Sequence, residues 1–387
     1  MAITDVTGGP VSERPASSLS VAERVRTCDD GVVVDDRVLS WRWLRDHATD
    51  PASFDARATQ RLTPPDVVAA ASAGRVDVDA AGGRVIVAWH DGAVADLAVA
   101  DLLTLGDATV AVASGRADAI AWDAVGMRSR HRTLGHADLV ADDHGRRTAL
   151  TYFWEDGFVH LTGVPIDHAA TRGAIECFGG VRSSIFGDLW EFGNDGDLDD
   201  LASTPSEITP HTDGTYSHDA PGVLALHCHE YEAEGGGNVL VDGVYLAERL
   251  RRESPDLHDV MRTVEVPGRY VGDDAHLVAR RPPLRYVGDR FEQISYNHHD
   301  RAPFWHPEPL MTRVFDGLAA IDRIAADPAA QFEVDLRPGD MILLDNWRIL
   351  HGRRAFRGQR RMAGGYVNRE DVESTWRRLS VDADLDV

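Results

Sequence analysis

The segment His211-Thr212-Asp213 places two metal-ligating side chains one residue apart. On an extended chain, residues i and i+2 point to the same face, so this imidazole and this carboxylate can reach one ion. A single H-x-D motif is weak, and a solvated histidine beside a capping aspartate is the simpler alternative. His351, far downstream at the end of an expected strand, offers a third ligand. Two imidazoles and one carboxylate bind iron in non-haem oxygenases, so we predict an Fe(II)-binding catalytic centre at these three residues.

Arg360 is the candidate for binding a second, anionic cofactor. It follows His351 across an expected turn at 357–359. If the chain is a strand from Arg360 onward, strand alternation turns this side chain to the same face as Tyr366. A guanidinium inside a barrel needs an anionic partner, because an unpaired buried charge is costly. The C5 carboxylate of 2-oxoglutarate would be such a partner; the alternative is a surface arginine in an arginine-rich run.

Three other histidine motifs compete with this assignment. His227 and His229, followed by Glu234, show the H-x-H…E spacing of cupin metal sites. The glutamates there lead into three glycines, which indicates an exposed hairpin end, so we interpret the two histidines as structural. The adjacent pair at 218–219 resembles the first motif only superficially. The polar run at 297–300 is expected to form a loop over the site.

The elements that must position these residues are short strands interrupted by a few helices. Apolar runs bounded by turn residues predict strands at 158–161, 223–229, 238–241, 291–296, 332–336, 341–344 and 360–367. Helical spacing predicts helices at 244–262, with a break near Ser254-Pro255, and at 309–326. This mixture predicts a mainly β fold with inserted helices, a β-sandwich or jelly roll. The expected segments are a flexible tail at 1–27, a small β-rich domain at 28–110, a connection at 111–149 and a jelly-roll domain at 150–387.

Composition restricts the partners. The chain has 387 residues with a formal net charge of −23, which disfavours binding to nucleic acid or to anionic membranes. Three scattered cysteines are too few for a disulfide framework, and no apolar run reaches the length of a membrane span. The N-terminus lacks the apolar segment of a secretory signal, so a cytoplasmic location is expected. The sequence contains no lysine, which excludes Schiff-base chemistry.

Several motifs in the same order resemble a known family. They are HTD at 211–213, PGV at 221–223, LHC at 226–228, GGGNVLVDG at 235–243 and DNWRILHGRRAF at 345–356. Together with VLSWRWLRDHATDP near the N-terminus, they resemble γ-butyrobetaine hydroxylase-like members of the taurine-dioxygenase-like Fe(II)/2-oxoglutarate oxygenases. The resemblance covers most of the chain. It implies a double-stranded β-helix, also called a jelly roll, preceded by a small β-rich N-terminal domain that often takes part in dimer contacts.

The resemblance also implies roles for individual residues. Arg360 would anchor 2-oxoglutarate, and Asn238 would be a second hydrogen-bond donor to it where the family usually has threonine or serine. The family's N-terminal domain binds zinc through cysteines, whose positions here are Ala48, Asp50 and Ser53. No thiolate remains at these positions, so no structural zinc is expected.

The substrate pocket implied by the resemblance is an aromatic cage for a trimethylammonium group. Phe186, Trp190 and Tyr366 fall at three cage positions, whereas Ser203 replaces a tyrosine. Asn297 lies where the family contacts the substrate carboxylate. An equally weighted alternative is that the first two rings are ordinary helix core.

The function predicted from these residues is an Fe(II)- and 2-oxoglutarate-dependent dioxygenase. It would use O₂ to hydroxylate an unactivated C–H bond of a small cationic or zwitterionic substrate resembling γ-butyrobetaine. One alternative is hydroxylation, desaturation or cyclisation of a non-quaternary amino acid, phosphonate or natural-product intermediate. Another is a catalytically silent jelly-roll binding protein. A small-molecule substrate is the expected partner, and a homodimer is compatible with the resemblance.

Overall fold

The computed structural model describes residues 24–35, 37–79, 83–100, 102, 119–193, 204–272 and 274–380. The chain divides into two compact units, Met1–Ser114 and Gly115–Val387. Most of the segment predicted as a connection, 111–149, therefore belongs to the second unit. Of the helices that the structure describes, none is long and apolar enough to cross a membrane.

The first unit consists of small antiparallel sheets around an aliphatic core. One sheet pairs β1, β2 and β3, a second pairs β6, β7 and β8, and β4 pairs with β5. The core is formed by alternating valines such as Val85 and Val87 together with Leu44, all fully buried. Its elements are β1 (Val25–Cys28), β2 (Gly31–Val34), β3 (Arg37–Ser40), α1 (Trp41–Asp46), β4 (Phe54–Asp55), β5 (Gln60–Arg61), α2 (Pro65–Ala69), β6 (Ala73–Asp79), β7 (Arg84–Trp89) and β8 (Val94–Ala98).

A buried arginine links the loops of this unit. Arg45 donates from Nη1 to Ser53 Oγ at 2.8 Å and to Thr63 Oγ1 at 2.9 Å, and from Nη2 to Asp91 Oδ2 at 2.9 Å. Ser53 lies at one of the positions where the resemblance implies a zinc-binding thiolate. In this chain it accepts a hydrogen bond from a guanidinium; the expectation of no structural zinc stays a prediction.

The second unit contains two large sheets. The seven-stranded sheet has the order β11-β23-β14-β21-β10-β9, with β12 also paired to β23, and the four-stranded sheet has the order β13-β22-β15-β20. Two hairpins, β16-β17 and β18-β19, are separate. The strands are β9 (Thr133–Gly135), β10 (Phe158–Thr162), β11 (Val181–Arg182), β12 (Leu189–Gly193), β13 (Ile208–His211), β14 (Val223–Gly235), β15 (Asn238–Asp242), β16 (Val266–Val271), β17 (His276–Arg281), β18 (Leu284–Val287), β19 (Arg290–Ile294), β20 (Phe332–Val334), β21 (Met341–Asp345), β22 (Ile349–Arg353) and β23 (Phe356–Val367).

Eight helices accompany these strands in the described part of the unit. They are α3 (Ala124–Arg130), α4 (His136–Ala141), α5 (Asp143–Asp156), α6 (His168–Glu176), α7 (Gly243–Glu253), α8 (Pro255–Thr263), α9 (Leu310–Ala325) and α10 (Arg369–Ser380). The predicted break at Ser254-Pro255 separates α7 from α8, because proline cannot continue the first helix but suits the first turn of the next. The cluster that packs α5, α6 and α10 covers the outer face of the seven-stranded sheet. The cluster that packs α7, α8 and α9 covers the four-stranded sheet.

The two large sheets face each other across a common core. Leu224 and Ile342 of the larger sheet pack in one cluster with Leu240 and Ile349 of the smaller sheet. Strand alternation explains this arrangement, since residues two apart on each strand bury the same face. The prediction of a mainly β fold with inserted helices and a jelly-roll core is confirmed, as is the β-rich character of the N-terminal unit.

The predicted turn at 357–359 is wrong. These residues lie inside β23, which pairs with β14 from Phe356↔Gly235 to Val367↔Val223. Gly358 misled the prediction: it has a φ of +111°, and a Cβ there would meet Glu232 O at 2.3 Å. The glycine therefore permits a close strand pairing. The chain does not reverse between β22 and β23 either, because Asn238↔Arg353 in one sheet and Gly235↔Phe356 in the other belong to one continuous antiparallel register.

Candidate active site

Three side chains, from two adjacent strands and from the loop after one of them, converge at one edge of the sandwich. The pairing of β13 with β22 places His211 directly opposite His351. Asp213 Oδ1 lies 3.4 Å from His211 Nε2 and 3.5 Å from His351 Nε2. The three ligand atoms all lie within 4.8 Å of one another, and no other group of three such residues was found in the described ranges. This convergence fits one metal ion bound by two imidazoles and one carboxylate.

Neighbouring groups fix the orientation of these ligands. His211 Nδ1 donates to the Thr209 carbonyl at 2.9 Å, which leaves Nε2 with a free lone pair for a metal. Asn346, which the sequence reasoning missed, accepts from the Asp213 amide at 2.8 Å and donates to its carbonyl at 3.0 Å. Tyr366 donates its hydroxyl proton to Asp213 Oδ2 at 2.8 Å.

The electrostatics favour an ionised carboxylate at this centre. Burial alone would raise the pKa of Asp213, but His351 and His211 hold that pKa well below its usual range. Burial lowers the pKa of His351 below its ordinary value, despite the attraction of Asp213. A carboxylate and a neutral imidazole are the forms that bind cations.

A cavity of about 460 Å³ opens beside the three ligands. Arg360 lines it and is 4% exposed, with Nε buried and without a hydrogen-bond partner. Its Nη2 donates to Asn238 Oδ1 at 3.2 Å. Among the described residues no carboxylate lies within 4.0 Å of this guanidinium, and burial lowers its pKa.. Arg360 is thus a buried cation without a counter-ion among the residues that the structure describes.

A second arginine lines the same cavity and was not identified from the sequence. Arg353 is 4% exposed and donates to the carbonyls of Thr204 and Ser206. Burial, aided by the charge of Arg360, lowers the pKa of Arg353 to about 10. Two buried guanidinium groups in one cavity favour an anionic occupant.

Aromatic rings form another part of the cavity lining. Trp190 lies 4.5 Å from Tyr366 and 5.9 Å from Phe186, measured between ring centroids. Tyr270 lies 6.1 Å from Phe186 and 5.3 Å from Tyr216. Tyr270 and Tyr216 were not predicted from the sequence as members of this ring set. They come from the β16 hairpin and from the loop after Asp213, so no local sequence signal linked them to the other rings.

The remaining predicted site residues fall at different places. Trp190 lies on β12 and Phe186 in the turn before it, so the alternative of a helix core is wrong. Strand geometry is favoured because Gly364 on the facing strand leaves room for the indole: a Cβ there would meet it at 2.7 Å. Asn297 lines the cavity and donates to Asp300 Oδ2 at 2.9 Å. Ser203 lies outside the described residues.

His227 and His229 belong to a separate group on the outer face of the seven-stranded sheet. With Glu191 they form what we term the outer histidine cluster. His227 Nδ1 lies 2.8 Å from Thr171 Oγ1 and 3.1 Å from His229 Nε2, while His229 Nδ1 lies 3.5 Å from Glu191 Oε1. This arrangement agrees with a structural role. Glu234 is exposed, but the expected hairpin end is wrong: the three glycines that follow connect β14 to β15 in the other sheet, and these two strands do not pair with each other.

A family described as "Taurine catabolism dioxygenase TauD, TfdA family" matches residues 129–366, more than half of the chain. The protein belongs to this family. The predicted resemblance is therefore confirmed at the family level. The prediction that this protein is a dioxygenase is confirmed as well. Fe(II) and 2-oxoglutarate are the cofactors of the TauD/TfdA family, as predicted, and the His-Asp-His group fits the metal.

Individual relatives share only limited sequence identity with this chain. A trimethyllysine dioxygenase of Meyerozyma guilliermondii is 31% identical over 234 residues, and the match spans 59% of each chain. The mitochondrial trimethyllysine dioxygenase of Gallus gallus is 29% identical over 354 residues, which covers 88% of this chain and 83% of that protein. Among solved structures, a taurine dioxygenase from Burkholderia xenovorans has a TM-score of 0.48 at 15% identity, covering 59% of this chain and 82% of its own.

Proposed function

We propose that this protein hydroxylates a small substrate bearing a quaternary ammonium group, using Fe(II), 2-oxoglutarate and O₂. The observation that carries the proposal is the shared cavity. It brings the His-Asp-His group, a buried arginine and a set of aromatic rings to one space. Each of the three features fits one required component: the metal, the dicarboxylate and the cation.

The three ligands are His211, Asp213 and His351. Two neutral nitrogens and one carboxylate occupy part of a metal's coordination sphere and leave positions for other ligands. When bound, iron and 2-oxoglutarate activate O₂ and oxidise the substrate C–H bond, while 2-oxoglutarate is converted to succinate and CO₂. The protein contributes orientation: Thr209 holds one imidazole, and Asn346 and Tyr366 hold the carboxylate.

Arg360 is the proposed anchor for 2-oxoglutarate. A planar guanidinium binds a carboxylate through paired hydrogen bonds, and burial strengthens them by excluding water. Asn238 already contacts this arginine at 3.2 Å, so its amide can orient the guanidinium or contact the bound carboxylate itself. We expect Arg360→Gln to weaken 2-oxoglutarate binding by about 10- to 100-fold, the loss typical of a charge-assisted hydrogen bond.

The aromatic rings are the proposed site for the substrate cation. Phe186, Trp190 and Tyr366 supply the predicted faces, and each cation–π contact contributes roughly 0.5–2 kcal/mol. Tyr270 and Tyr216 extend this ring set, so the cage does not depend on position 203 for aromatic character. The trimethyllysine dioxygenases named above act, by their names, on a substrate of this charge.

Asp300 adds a negative charge to the cavity wall. Its Oδ2 accepts hydrogen bonds from Asn297 at 2.9 Å and from Thr215 Oγ1 at 3.3 Å. A carboxylate near the rings favours a cationic ligand over a neutral one. Asn297 is therefore proposed to contact the substrate together with Asp300.

The test is an aerobic incubation with Fe(II) and 2-oxoglutarate plus γ-butyrobetaine or trimethyllysine. Mass spectrometry follows succinate and a one-oxygen gain in the substrate together. The matched control is the neutral isostere in which carbon replaces the quaternary nitrogen. Coupled formation of both products, with the cation preferred over its isostere, supports the proposal.

Two other outcomes separate the alternatives. Succinate coupled to oxidation of non-quaternary amino acids, with none from the quaternary compounds, would retain the dioxygenase and overturn the substrate class. Failure to bind Fe(II) and 2-oxoglutarate under anaerobic conditions would instead favour a catalytically silent binding protein.

A Tyr270→Ala and Tyr270→Phe pair tests the ring set directly. Removing the ring should raise KM for the preferred cation by about 3- to 30-fold, since one cation–π contact is lost. The phenylalanine variant keeps the ring and should stay near the original KM. Equal effects of both variants would show that the hydroxyl, rather than the ring, acts on the substrate.

A further inference from the structure

A second cavity lies beside the loop that follows the metal ligands. Its volume is about 360 Å³, and its lining comes from that loop, from β17, β18 and β19, and from the turn before β22. The residues relevant here are Arg280, Arg281, Arg285, His218, Gln293 and Trp347. Three arginines in one small cavity are unexpected in a chain with a net charge of −23.

The guanidinium groups of this cavity are incompletely paired. Arg281 Nη2 and Arg285 Nε are buried and without hydrogen-bond partners. Arg281 has no carboxylate within 4.0 Å among the described residues, and the nearest carboxylate oxygen to Arg285 belongs to Glu292 at 4.0 Å. Glu292 also pairs with Arg290 at 3.1 Å. Positive charge therefore exceeds negative charge at the cavity wall.

The other carboxylate at this cavity is already engaged. Asp219 lines it but pairs with Arg182 at 3.0 Å. Burial and the neighbouring charge of Arg285 lower the pKa of Arg281, although the charge of Asp219 acts in the opposite direction. An incoming anion would relieve both the missing hydrogen bonds and the repulsion between the two arginines.

The shape and lining limit what this anion can be. Planar guanidinium forks match the oxygens of a carboxylate or a phosphate, and Gln293, which is 3% exposed, adds a polar amide. One face of the Trp347 indole is not available to a ligand, because the guanidinium of Arg285 stacks over it at 4.7 Å. A small oxyanion fits these groups, whereas the aromatic cavity beside the metal ligands suits a cation.

We propose that this arginine cavity is a binding site for a small oxyanion, either a phosphate or a carboxylate compound, separate from the Arg360 site. The proposal does not depend on the substrate proposed above. It rests on the unpaired guanidinium atoms and on the cavity that they face.

Isothermal titration of inorganic phosphate and, separately, of succinate into the full chain tests the proposal. Saturable binding of one or both is expected, and the probe that still binds tightly to Arg360→Gln identifies the class of oxyanion. Arg281→Gln and Arg285→Gln should each weaken that binding by about tenfold or more, because each removes a charge-assisted hydrogen bond. The matched control is Arg269→Gln, which removes the same charge from an exposed position on the β16–β17 hairpin. It should leave the affinity unchanged.

A fourth variant distinguishes the two anion sites. Arg360→Gln should leave phosphate binding unchanged while weakening 2-oxoglutarate binding by about 10- to 100-fold. The proposal is overturned if neither probe binds saturably, or if binding is lost in Arg360→Gln and retained in Arg281→Gln.

A measurement on the unsubstituted protein covers the case in which the variants fail to fold. Arginine modification by phenylglyoxal, mapped by mass spectrometry, should be slowed at Arg281 and Arg285 by the bound probe. Modification of Arg269 should proceed at the same rate with and without it. Equal rates at all three arginines would contradict the site.

Discussion

The metal-ligand group and the outer histidine cluster each combine two histidines with one carboxylate, but they differ in where their ring nitrogens point. In the metal-ligand group, His211, Asp213 and His351 direct one atom each toward a common point beside a cavity. In the outer histidine cluster, His227 and His229 direct ring nitrogens toward each other and toward Thr171, a residue of helix α6.

The difference shows that residue composition alone does not define a metal site. On β14, alternation turns His227 and His229 to the outer face of the sheet, under α6, where their ring nitrogens contact each other, Thr171 and Glu191. On β13 and β22, the ligands face the open edge of the sandwich. There, Thr209 and Tyr366 form hydrogen bonds with the atoms of His211 and Asp213 that face away from the metal position.

The largest expected effect comes from removing the carboxylate of the metal-ligand group. We expect Asp213→Ala to lower the affinity for Co(II), used as a spectroscopic probe, by more than about 100-fold. Even changes to the partners of metal ligands cost about 10- to 100-fold, and a ligand should cost more. Absorption spectroscopy of Co(II) titrations measures this directly. A Co(II) spectrum unchanged from that of the original protein would remove the distinction between the two groups.

The next effect concerns the pH dependence of stability in the outer histidine cluster. Burial lowers the pKa of His227 from 6.5 to about 4. The unfolded chain therefore binds a proton in the window from pH 6.5 down to about 4, where the folded protein does not. Stability from this residue is complete above that window and falls by up to about 3 kcal/mol as the pH is lowered through it.

Urea unfolding at several pH values across this window measures that slope. His227→Gln removes the titrating group, so the variant should lose less stability on acidification, whatever its stability at neutral pH. Parallel pH profiles for both proteins would show that His227 accepts a proton in the folded state as easily as in the unfolded one.

A smaller effect is expected from the hydroxyl that orients Asp213. Tyr366→Phe removes the 2.8 Å hydrogen bond to the carboxylate while keeping the ring in the cavity. Co(II) affinity should fall by about tenfold, as is usual when a partner of a metal ligand is lost. KM for the cationic substrate should stay constant, because the aromatic face remains. A rise in KM with unchanged metal affinity would reassign this tyrosine to the substrate alone.

The smallest effect is expected from the carboxylate of the outer histidine cluster. Glu191 contacts His229, His168 and Arg361, but it is partly exposed. Surface ion pairs contribute about 0–1 kcal/mol, so Glu191→Gln should change the free energy of unfolding by no more than that. Co(II) affinity and turnover should match those of the original protein. A loss of metal affinity comparable to that of Asp213→Ala would show that the two groups are functionally equivalent.

The sequence was informative where chemistry is local. The i and i+2 spacing of His211 and Asp213 follows from an extended backbone, and the positions of most strands follow from apolar runs. Ser254-Pro255 marked the end of one helix, because proline removes a backbone donor at any helix interior. Gly358 was misread as a turn, since a glycine with positive φ serves equally well in a close pairing of strands.

The sequence by itself determined the fold class, the metal-ligating residue types and the family, because backbone periodicity and short motifs are properties of neighbouring residues. Only the tertiary structure decided that Tyr216 and Tyr270 join the aromatic rings, that Asn346 holds Asp213, and that the arginines of β17 and β18 share a cavity. These groups come from segments distant in the chain. Their meeting depends on strand register and on which face of a sheet each residue occupies, and a shift of one residue would send every side chain to the opposite face.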